Sequence, residues 1–133
     1  MQQLKQQPST GLYTLDKTIL VVEDDEDIGS MLVDVLSLET SCQIVLVTDA
    51  FQAMRVMHSI KPCLFITDYR LPQMDGIQLY DYLCMAKELI QIPTIIMSAH
   101  MPEDEVKKRH LVGLNKPFEL DDLLDTIAKL MKN

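Results

Sequence analysis

Residues 63–76 read CLFITDYRLPQMDG, and this stretch contains one complete unit of the predicted fold. A short apolar run at residues 63–67 ends at Asp68 and is typical of a strand covered on both faces. Pro72 and Gly76 then mark a turn. Helical spacing follows, at Ile77, Tyr80, Leu83 and Cys84. The stretch therefore predicts a strand, a turn and a helix in succession.

The same alternation runs through the rest of the chain. Further strands are predicted at residues 18–23, 43–48, 94–99 and 112–115, because each is a short apolar run. Amphipathic patterns separate these runs, and a last helix, with acids early and lysines late, follows Lys116 and Pro117. Five such units predict an α/β fold with a doubly wound, five-stranded parallel sheet between two helix layers.

The length and net charge of the chain indicate how many domains it forms and exclude some classes of function. The chain has 133 residues and a net charge of −8, so it is expected to form one domain without a basic face for nucleic acid. Residues 1–17 are predicted to be a disordered leader or linker, and residues 18–133 the domain. No apolar run approaches the ~20 residues that span a membrane, and the polar start lacks the apolar centre of a signal peptide. We expect a cytoplasmic protein with no membrane partner.

The chain has three cysteines, Cys42, Cys63 and Cys84, and no two of them form a CxxC motif. Their odd number and spacing favour neither a disulfide framework nor a zinc cluster. We expect all three to be reduced, buried, small apolar residues.

Polar residues gather where the predicted strands end. Glu23 and Asp24 follow the first strand, Asp68 the third, Ser98 ends the fourth and Lys116 follows the fifth. In a parallel sheet these positions share one edge, where functional groups collect. Clustered carboxylates repel one another unless a cation neutralises them, and oxygen ligands suit Mg²⁺. The arrangement indicates reversible phosphorylation of Asp68, with the lysine and hydroxyl binding phosphoryl oxygens.

Four segments carry a family resemblance: ILVVEDDEDI, ITDYRLPQMDGIQL, IPTIIMSA and NKPFELDDLL. Together they resemble the receiver domain of bacterial two-component response regulators, over residues 18–131. The DxxLPxMDG pattern, with Asp24 lying 44 positions before Asp68 and a KPF downstream, is specific to that family. The resemblance implies a flavodoxin-like (βα)5 fold with strand order 2-1-3-4-5.

The resemblance also implies roles for single residues. Asp68 would be the phosphoacceptor, Asp24 a direct Mg²⁺ (or Mn²⁺) ligand and Glu23 a ligand acting through water. The backbone carbonyl of Arg70 would be a further metal ligand. Ser98 would bond the phosphoryl group.

Other positions follow from the same resemblance. Lys116 would be the lysine that members of the family carry after the fifth strand, and the peptide bond between Lys116 and Pro117 would be cis. Arg70 and His100 are candidates for tuning the lifetime of the phosphate. Asp25 is interpreted as a bystander and Asp75 as the cap of the third helix.

The implied phosphate donor is a histidine kinase or a histidine phosphotransfer protein, and the effector is unknown. The domain would assist transfer to its own Asp68, so we expect a switch in a two-component or phosphorelay system rather than an enzyme with substrate turnover.

The chain departs from the family at one place. Lys116 follows Ser98 by 18 positions, fewer than is usual, and Gly113 stands where an aromatic residue is common. Residues 103–110 carry one apolar residue, Val106, so a short, mobile or partly unwound fourth helix is expected. These features predict an incomplete dimerisation face.

Three alternatives stay open at this point. A flavodoxin-like cofactor binder would need a phosphate-cradling loop where this chain has four acids, at residues 23–26. A metal-dependent phosphohydrolase would usually carry a second aspartate at the position of Arg70. A degenerate receiver would act as an unphosphorylated protein-interaction module, and the altered segment before Lys116 keeps that alternative open.

Overall fold

A computed structural model describes residues 17–131 of the chain. The leader predicted for residues 1–17 lies, except for Lys17, outside the described residues. Among the helices of residues 17–131, none has the length and apolar character needed to cross a membrane.

Five strands alternate with five helices along the chain. The strands are β1 (Thr18–Val22), β2 (Gln43–Val47), β3 (Leu64–Asp68), β4 (Thr94–Ser98) and β5 (Val112–Asn115). The helices are α1 (Glu26–Glu39), α2 (Ala50–Val56), α3 (Gly76–Met85), α4 (Glu103–Lys108) and α5 (Leu120–Met131).

The strands form one parallel sheet in the order β2-β1-β3-β4-β5, as expected. Every residue of β1, β3 and β4 is buried, because helices cover both faces of the sheet. The register places Val22 of β1 beside Thr67 of β3, and Ser98 of β4 beside Asn115 of β5. The ends of the strands are therefore level with one another, and the residues that follow them meet at one edge.

Two apolar clusters fix the helices to the sheet. On one face, Leu32 of α1 and Leu123 of α5 pack against strand residues such as Ile66. On the other face, Ala53 of α2 and Leu79 of α3 pack against residues such as Phe65. The helix α4 is attached by Val106, in a smaller cluster formed with Ile77 of α3 and Ile96 of β4.

Some element boundaries differ from the sequence-based prediction. Cys63 precedes β3, and Asp68 is the last residue of that strand. The helix α4 ends at Lys108 rather than His110, since His110 has a φ of 58°, a left-handed conformation that cannot continue a right-handed helix. The fourth helix is short, as expected, but its six residues are helical without interruption.

The expectation of three buried cysteines was wrong. Cys84 is exposed, because it lies about 100° around α3 from the buried Leu83, outside the face that packs on the sheet. Cys42 and Cys63 are half-buried.

Candidate functional site

The C-terminal edge of the sheet brings together the predicted site residues. Glu23 follows β1, Asp68 and Ser98 end β3 and β4, and Lys116 follows β5. Backbone hydrogen bonds continue past the strand ends: the Tyr69 amide donates to the Met97 carbonyl (2.7 Å), and the Lys116 amide to the Ser98 carbonyl (2.9 Å). These bonds hold the backbone rigidly where the functional side chains begin.

The Lys116 ammonium lies between two buried carboxylates. Its Nζ is 2.9 Å from Glu23 Oε1 and 3.1 Å from Asp68 Oδ1. Glu23 and Asp68 are almost inaccessible to solvent, with 1% and 6% of their surface exposed. Glu23 is held further by the Asp25 amide, which donates to Oε2 at 3.1 Å. The ammonium of Lys116 thus forms ion pairs with both carboxylates, Glu23 and Asp68.

Burial governs the titration of these groups. Desolvation raises the pKa of Glu23 and that of Asp68, and the hydrogen bonds from Lys116 offset only part of this rise. Burial would lower the pKa of Lys116, but its hydrogen bonds to Glu23 and Asp68 outweigh that effect and raise it. The lysine is therefore held in its charged form, whereas its two partners bind protons more readily than ordinary carboxyls.

The acidic residues form a cluster with the spacing of a metal site. Glu23, Asp24 and Asp68 each offer a carboxylate oxygen, and these oxygens lie within 4.8 Å of one another. Asp24 is exposed, whereas the other two are buried. Asp25 turns away from this cluster: its side chain accepts the Ile28 amide at 3.0 Å and caps α1.

A cavity of about 210 Å³ opens beside Asp68. The charged and polar residues lining it include Arg70, Ser98, His100 and Lys116. The Ser98 hydroxyl oxygen accepts the His100 amide at 3.1 Å, which fixes its position at the cavity wall. Arg70 and His100 thus border the space where a group attached to Asp68 would lie.

The loop between β3 and α3 is shaped by close backbone approach. The Gly76 amide donates to the Tyr69 carbonyl at 2.7 Å, and a Cβ at Gly76 would collide with the Asp68 carbonyl oxygen. Asp75 caps α3 as expected, accepting the Gln78 amide at 2.7 Å within a capping box. The peptide between Lys116 and Pro117 is cis, also as expected.

Two features of this region have no counterpart in the sequence-based prediction. The first is the bond from Lys116 to Glu23, which joins residues 93 positions apart. The second is the side chain of Met101, which occupies the space beside Gly113: a Cβ there would lie 2.9 Å from Met101 Sδ. A glycine at position 113 and a flexible apolar residue three positions after Ser98 were the only sequence signals for that contact.

Residues 19–128 match the model of a protein family, the response regulator receiver domain. The chain belongs to this family. It is a receiver domain of two-component signalling, and its acidic cluster has the spacing of a metal site.

Curated relatives include a phosphotransferase, histidine kinases and transcriptional regulators. The domain is 27% identical to sporulation initiation phosphotransferase F of Bacillus subtilis over 121 residues, covering 88% of this chain and 95% of that protein. It is 30% identical to the sensor histidine kinase TmoS of Ectopseudomonas mendocina over 118 residues, covering 85% of this chain and 12% of the kinase. The chain thus spans nearly the full length of the first relative and a small part of the second.

Solved structures share the same architecture. The receiver domain of the Francisella response regulator 1452 is 25% identical, with a TM-score of 0.76, over 87% of this chain and 97% of that one. The receiver domain of sensor histidine kinase PA1611 of Pseudomonas aeruginosa, solved with a magnesium ion in its active site cleft, is 22% identical. Its TM-score is 0.76, over 88% of this chain and 98% of that one.

Proposed function

We propose that this receiver domain is a signalling switch that accepts a phosphoryl group on Asp68 from a phosphohistidine donor. The observation that carries the proposal is the position of Asp68, which lies 3.1 Å from the Lys116 ammonium and borders a cavity lined by Ser98. A nucleophilic carboxylate, a fixed cation and a hydroxyl at one cavity are the groups that phosphoryl transfer to a carboxylate needs.

The phosphoryl transfer needs only the groups of this site and the phosphohistidine of the donor. An Asp68 carboxylate oxygen attacks phosphorus, an O–P bond forms, and the N–P bond of the phosphohistidine breaks. The electron pair of that bond stays with the imidazole nitrogen of the donor. Lys116 stabilises the negative oxygens by charge, and the Ser98 hydroxyl donates a hydrogen bond to the attached phosphoryl group.

Mg²⁺ fits the donor set of the site. Asp24, Asp68 and Glu23 supply clustered oxygen ligands of the kind this ion prefers, and burial raises the pKa of Glu23 and of Asp68. The Arg70 carbonyl is a further proposed ligand, and Glu23, held by Lys116, is proposed to act through water. When bound, the ion neutralises charge on the carboxylates and phosphoryl oxygens. The magnesium of the PA1611 receiver domain supports the same choice here.

The donor is proposed to be a histidine kinase or a histidine phosphotransfer protein, since the relatives include sensor kinases and a phosphotransferase. The domain acts as a switch rather than an enzyme, because the group that is modified belongs to the domain itself. Arg70 and His100 border the phosphoryl position and are proposed to set how fast water removes the phosphate.

The test compares Asp68→Asn with Asp75→Asn under acetyl phosphate and Mg²⁺. Asparagine can still cap α3 at position 75, so the second variant changes one nearby carboxyl without disturbing the loop. The wild type and Asp75→Asn should each gain one phosphate in intact-mass spectra, and Asp68→Asn should gain none. Chelation of the metal should abolish the gain in the wild type and in Asp75→Asn.

The phosphohydrolase and the unphosphorylated interaction module each predict a distinct outcome in this experiment. A phosphate adduct that persists in Asp68→Asn, or with the metal chelated, contradicts the proposal. Continuous hydrolysis of p-nitrophenyl phosphate would indicate a phosphohydrolase instead. A wild type that gains no phosphate from acetyl phosphate or from a phosphohistidine donor would indicate an unphosphorylated interaction module.

A further inference from the structure

The N-terminal edge of the sheet, at the opposite end of the strands from Asp68, holds a cavity of about 440 Å³. Its wall is formed by the residues that precede three neighbouring strands: Lys17 before β1, Lys61 before β3 and Gln91 before β4. The end of α5 closes another side. The volume lies within the range of ~300–1,000 Å³ that is typical of small-molecule sites.

The charge of this cavity is positive. Its lining includes two lysines, Lys17 and Lys61, and no aspartate or glutamate among the described residues. Within residues 17–131, neither lysine forms an ion pair with a carboxylate. The adjoining cavity at Cys42 differs, since Glu39 lies in its wall together with Lys17. The larger cavity therefore offers two cations whose charge no described side chain neutralises.

The two lysines begin close together in space. The strands β1 and β3 are neighbours in the sheet, and the Cys63 amide donates to the Thr18 carbonyl at 2.8 Å. Lys17 precedes Thr18 by one residue and Lys61 precedes Cys63 by two, so they lie on adjoining chain segments that pair roughly 5 Å apart. The long, flexible stem of each lysine lets both ammonium groups reach one anion.

The backbone around the cavity is fixed by the sheet. The Lys17 carbonyl accepts the Gln43 amide at 2.8 Å, and the Pro93 carbonyl accepts the Phe65 amide at 3.0 Å. Pro62 also lies in the wall, is buried, and has its φ fixed by its ring. Because these parts of the wall are already in place, a ligand would bind without a large cost in backbone ordering.

The rest of the wall is largely apolar. Ile90, Ile92 and Leu130 line the cavity, and Ile90 is 60% exposed to solvent. Gln91 lies between the two isoleucines and adds a carboxamide, which can donate hydrogen bonds. The cavity thus combines cationic groups with an uncovered apolar surface, a combination that suits an anion with an apolar body.

We propose that this cavity binds a small organic phosphate, with the phosphate between Lys17 and Lys61 and the apolar body against Ile90 and Ile92. A phosphate monoester carries a charge of about −1.5 to −2 near neutral pH, which matches two ammonium groups. The net charge of −8 disfavours a long polyanion such as nucleic acid, because most of its length would face an acidic surface.

This cavity is separate from the cavity beside Asp68. The two share no lining residue, and strands of five residues, such as β3, place the two edges of the sheet about 16 Å apart. Binding at the N-terminal edge is therefore independent of the proposed phosphorylation and can be measured without Mg²⁺.

The test is an NMR titration of the isotope-labelled full chain with phenylphosphonate at pH 8, without divalent metal. This probe has a doubly charged head on an apolar ring, and its C–P bond prevents phosphoryl transfer to Asp68. The amides of Lys61, Cys63 and Gln91 should shift to saturation, whereas that of Tyr69, next to Asp68, should not. Benzyl alcohol, which lacks the charge, and inorganic phosphate, which lacks the apolar body, should each bind about tenfold more weakly or less.

Variants connect the shifts to the two lysines. Lys17→Gln and Lys61→Gln should each weaken binding of phenylphosphonate by about threefold or more. Lys107→Gln is the matched control, because Lys107 is exposed on α4 and does not line the cavity, and it should bind as the wild type does. The spectrum of each variant also verifies that it is folded.

Four results would overturn the proposal. They are the absence of saturable shifts at the N-terminal edge, shifts confined to the surroundings of Asp68, equal binding of benzyl alcohol, and an equal loss of affinity in Lys107→Gln. The third result would indicate a purely apolar cavity, and the fourth would indicate attraction by the overall charge of the domain.

Discussion

Lys116 is bonded to Glu23 at least as closely as to Asp68: the Nζ–oxygen distances are 2.9 Å and 3.1 Å. Glu23 is the more deeply buried partner, with 1% of its surface exposed against 6% for Asp68. Lys116 therefore stabilises Glu23 of the acidic cluster as well as Asp68, the proposed phosphoacceptor. Its removal should affect the stability of the fold in a way that depends on pH.

Lys116→Met should destabilise the domain more at pH 8 than at pH 5. Without the lysine, the pKa of Glu23 and of Asp68 rises beyond the increase that burial already causes. A carboxyl with a raised pKa in the folded state destabilises the fold above that pKa and ceases to do so as it becomes protonated. Urea unfolding in the absence of divalent metal should show a loss of roughly 1–3 kcal/mol at pH 8 and a smaller loss at pH 5.

Lys129→Met is the matched control for this measurement, since Lys129 is exposed near the end of α5. It should change the free energy of unfolding little at either pH. An equal loss at pH 5 and pH 8 for Lys116→Met would show that packing of the lysine stem, rather than its charge, is what matters.

Asp24→Asn should weaken Mg²⁺ binding more than about tenfold, or roughly 1.4 kcal/mol, in calorimetric titrations. Asp24 shares the carboxylate cluster, whereas Asp25 caps α1. Asp25→Asn should therefore bind Mg²⁺ like the wild type, because asparagine also caps helices well. Similar losses in the two variants would contradict the assignment of Asp24.

The Mg²⁺ affinity measured in the same titration should fall as the pH approaches the raised pKa of Glu23 and Asp68, since protons compete with the metal for these oxygens. In the absence of metal, Asp24→Asn should be slightly more stable than the wild type. Its charge raises the pKa of Asp68, so removing it relieves repulsion worth about 0.2–1 kcal/mol.

Gly76→Ala should destabilise the domain by roughly 1–3 kcal/mol in thermal or urea unfolding, the usual cost of overpacking. The new Cβ would meet the Asp68 carbonyl oxygen, a backbone atom that cannot move without displacing Asp68 itself. At Gly29 of α1 a Cβ would meet only the end of the Leu46 side chain, at 3.0 Å. Gly29→Ala should therefore cost much less, and a comparable cost at both positions would contradict this explanation.

The strand pattern and the strand-end residues could be predicted from the sequence for a physical reason. A parallel sheet needs continuous apolar runs, and the residue that follows each run must leave the sheet at its C-terminal edge. Glu23, Asp68, Ser98 and Lys116 were placed together on this basis alone, and the structure brings them to one edge.

Contacts between distant segments could not be predicted in this way. The choice of Glu23 as a partner of Lys116, the position of Met101 beside Gly113 and the exposure of Cys84 all depend on how helices and loops pack on the sheet. The uninterrupted helical conformation of α4 is a further example, because its single apolar residue, Val106, predicted a partly unwound segment.

Arg109 fastens α4 to α3, and Arg109→Gln should loosen this attachment. The guanidinium donates to both Asp81 oxygens of α3, at 2.7 and 2.8 Å, and to Glu105 Oε1 at 2.7 Å. These bonds raise the pKa of Arg109 and fasten the end of α4 to α3. Hydrogen exchange at the amides of residues 106–111 should accelerate by about tenfold, equivalent to ~1.4 kcal/mol of local opening free energy.

Lys108→Gln is the matched control for the Arg109 variant. Lys108 contacts Glu105 at 3.5 Å but is largely exposed, so this pair should contribute little. Equal acceleration in both variants would show that the contact between Arg109 and Asp81 is not what holds the helix, and no acceleration in Arg109→Gln would show that Val106 suffices.

Phosphorylation should not drive dimerisation through the surface formed by α4 and β5. The helix α4 has six residues, Arg109 ties it to α3, and Met101 rather than an aromatic side chain fills the space beside Gly113. A face that is both short and fastened to its neighbour offers little apolar area for a second copy, and stable dimers need well over ~1,000 Å² of buried surface. Light scattering with and without beryllofluoride and Mg²⁺ should therefore give the monomer mass in both states at micromolar concentration. A mass that doubles with beryllofluoride, and returns to that of the monomer when Lys107 and Lys108 on α4 are replaced by glutamate, would show that this surface does form the interface.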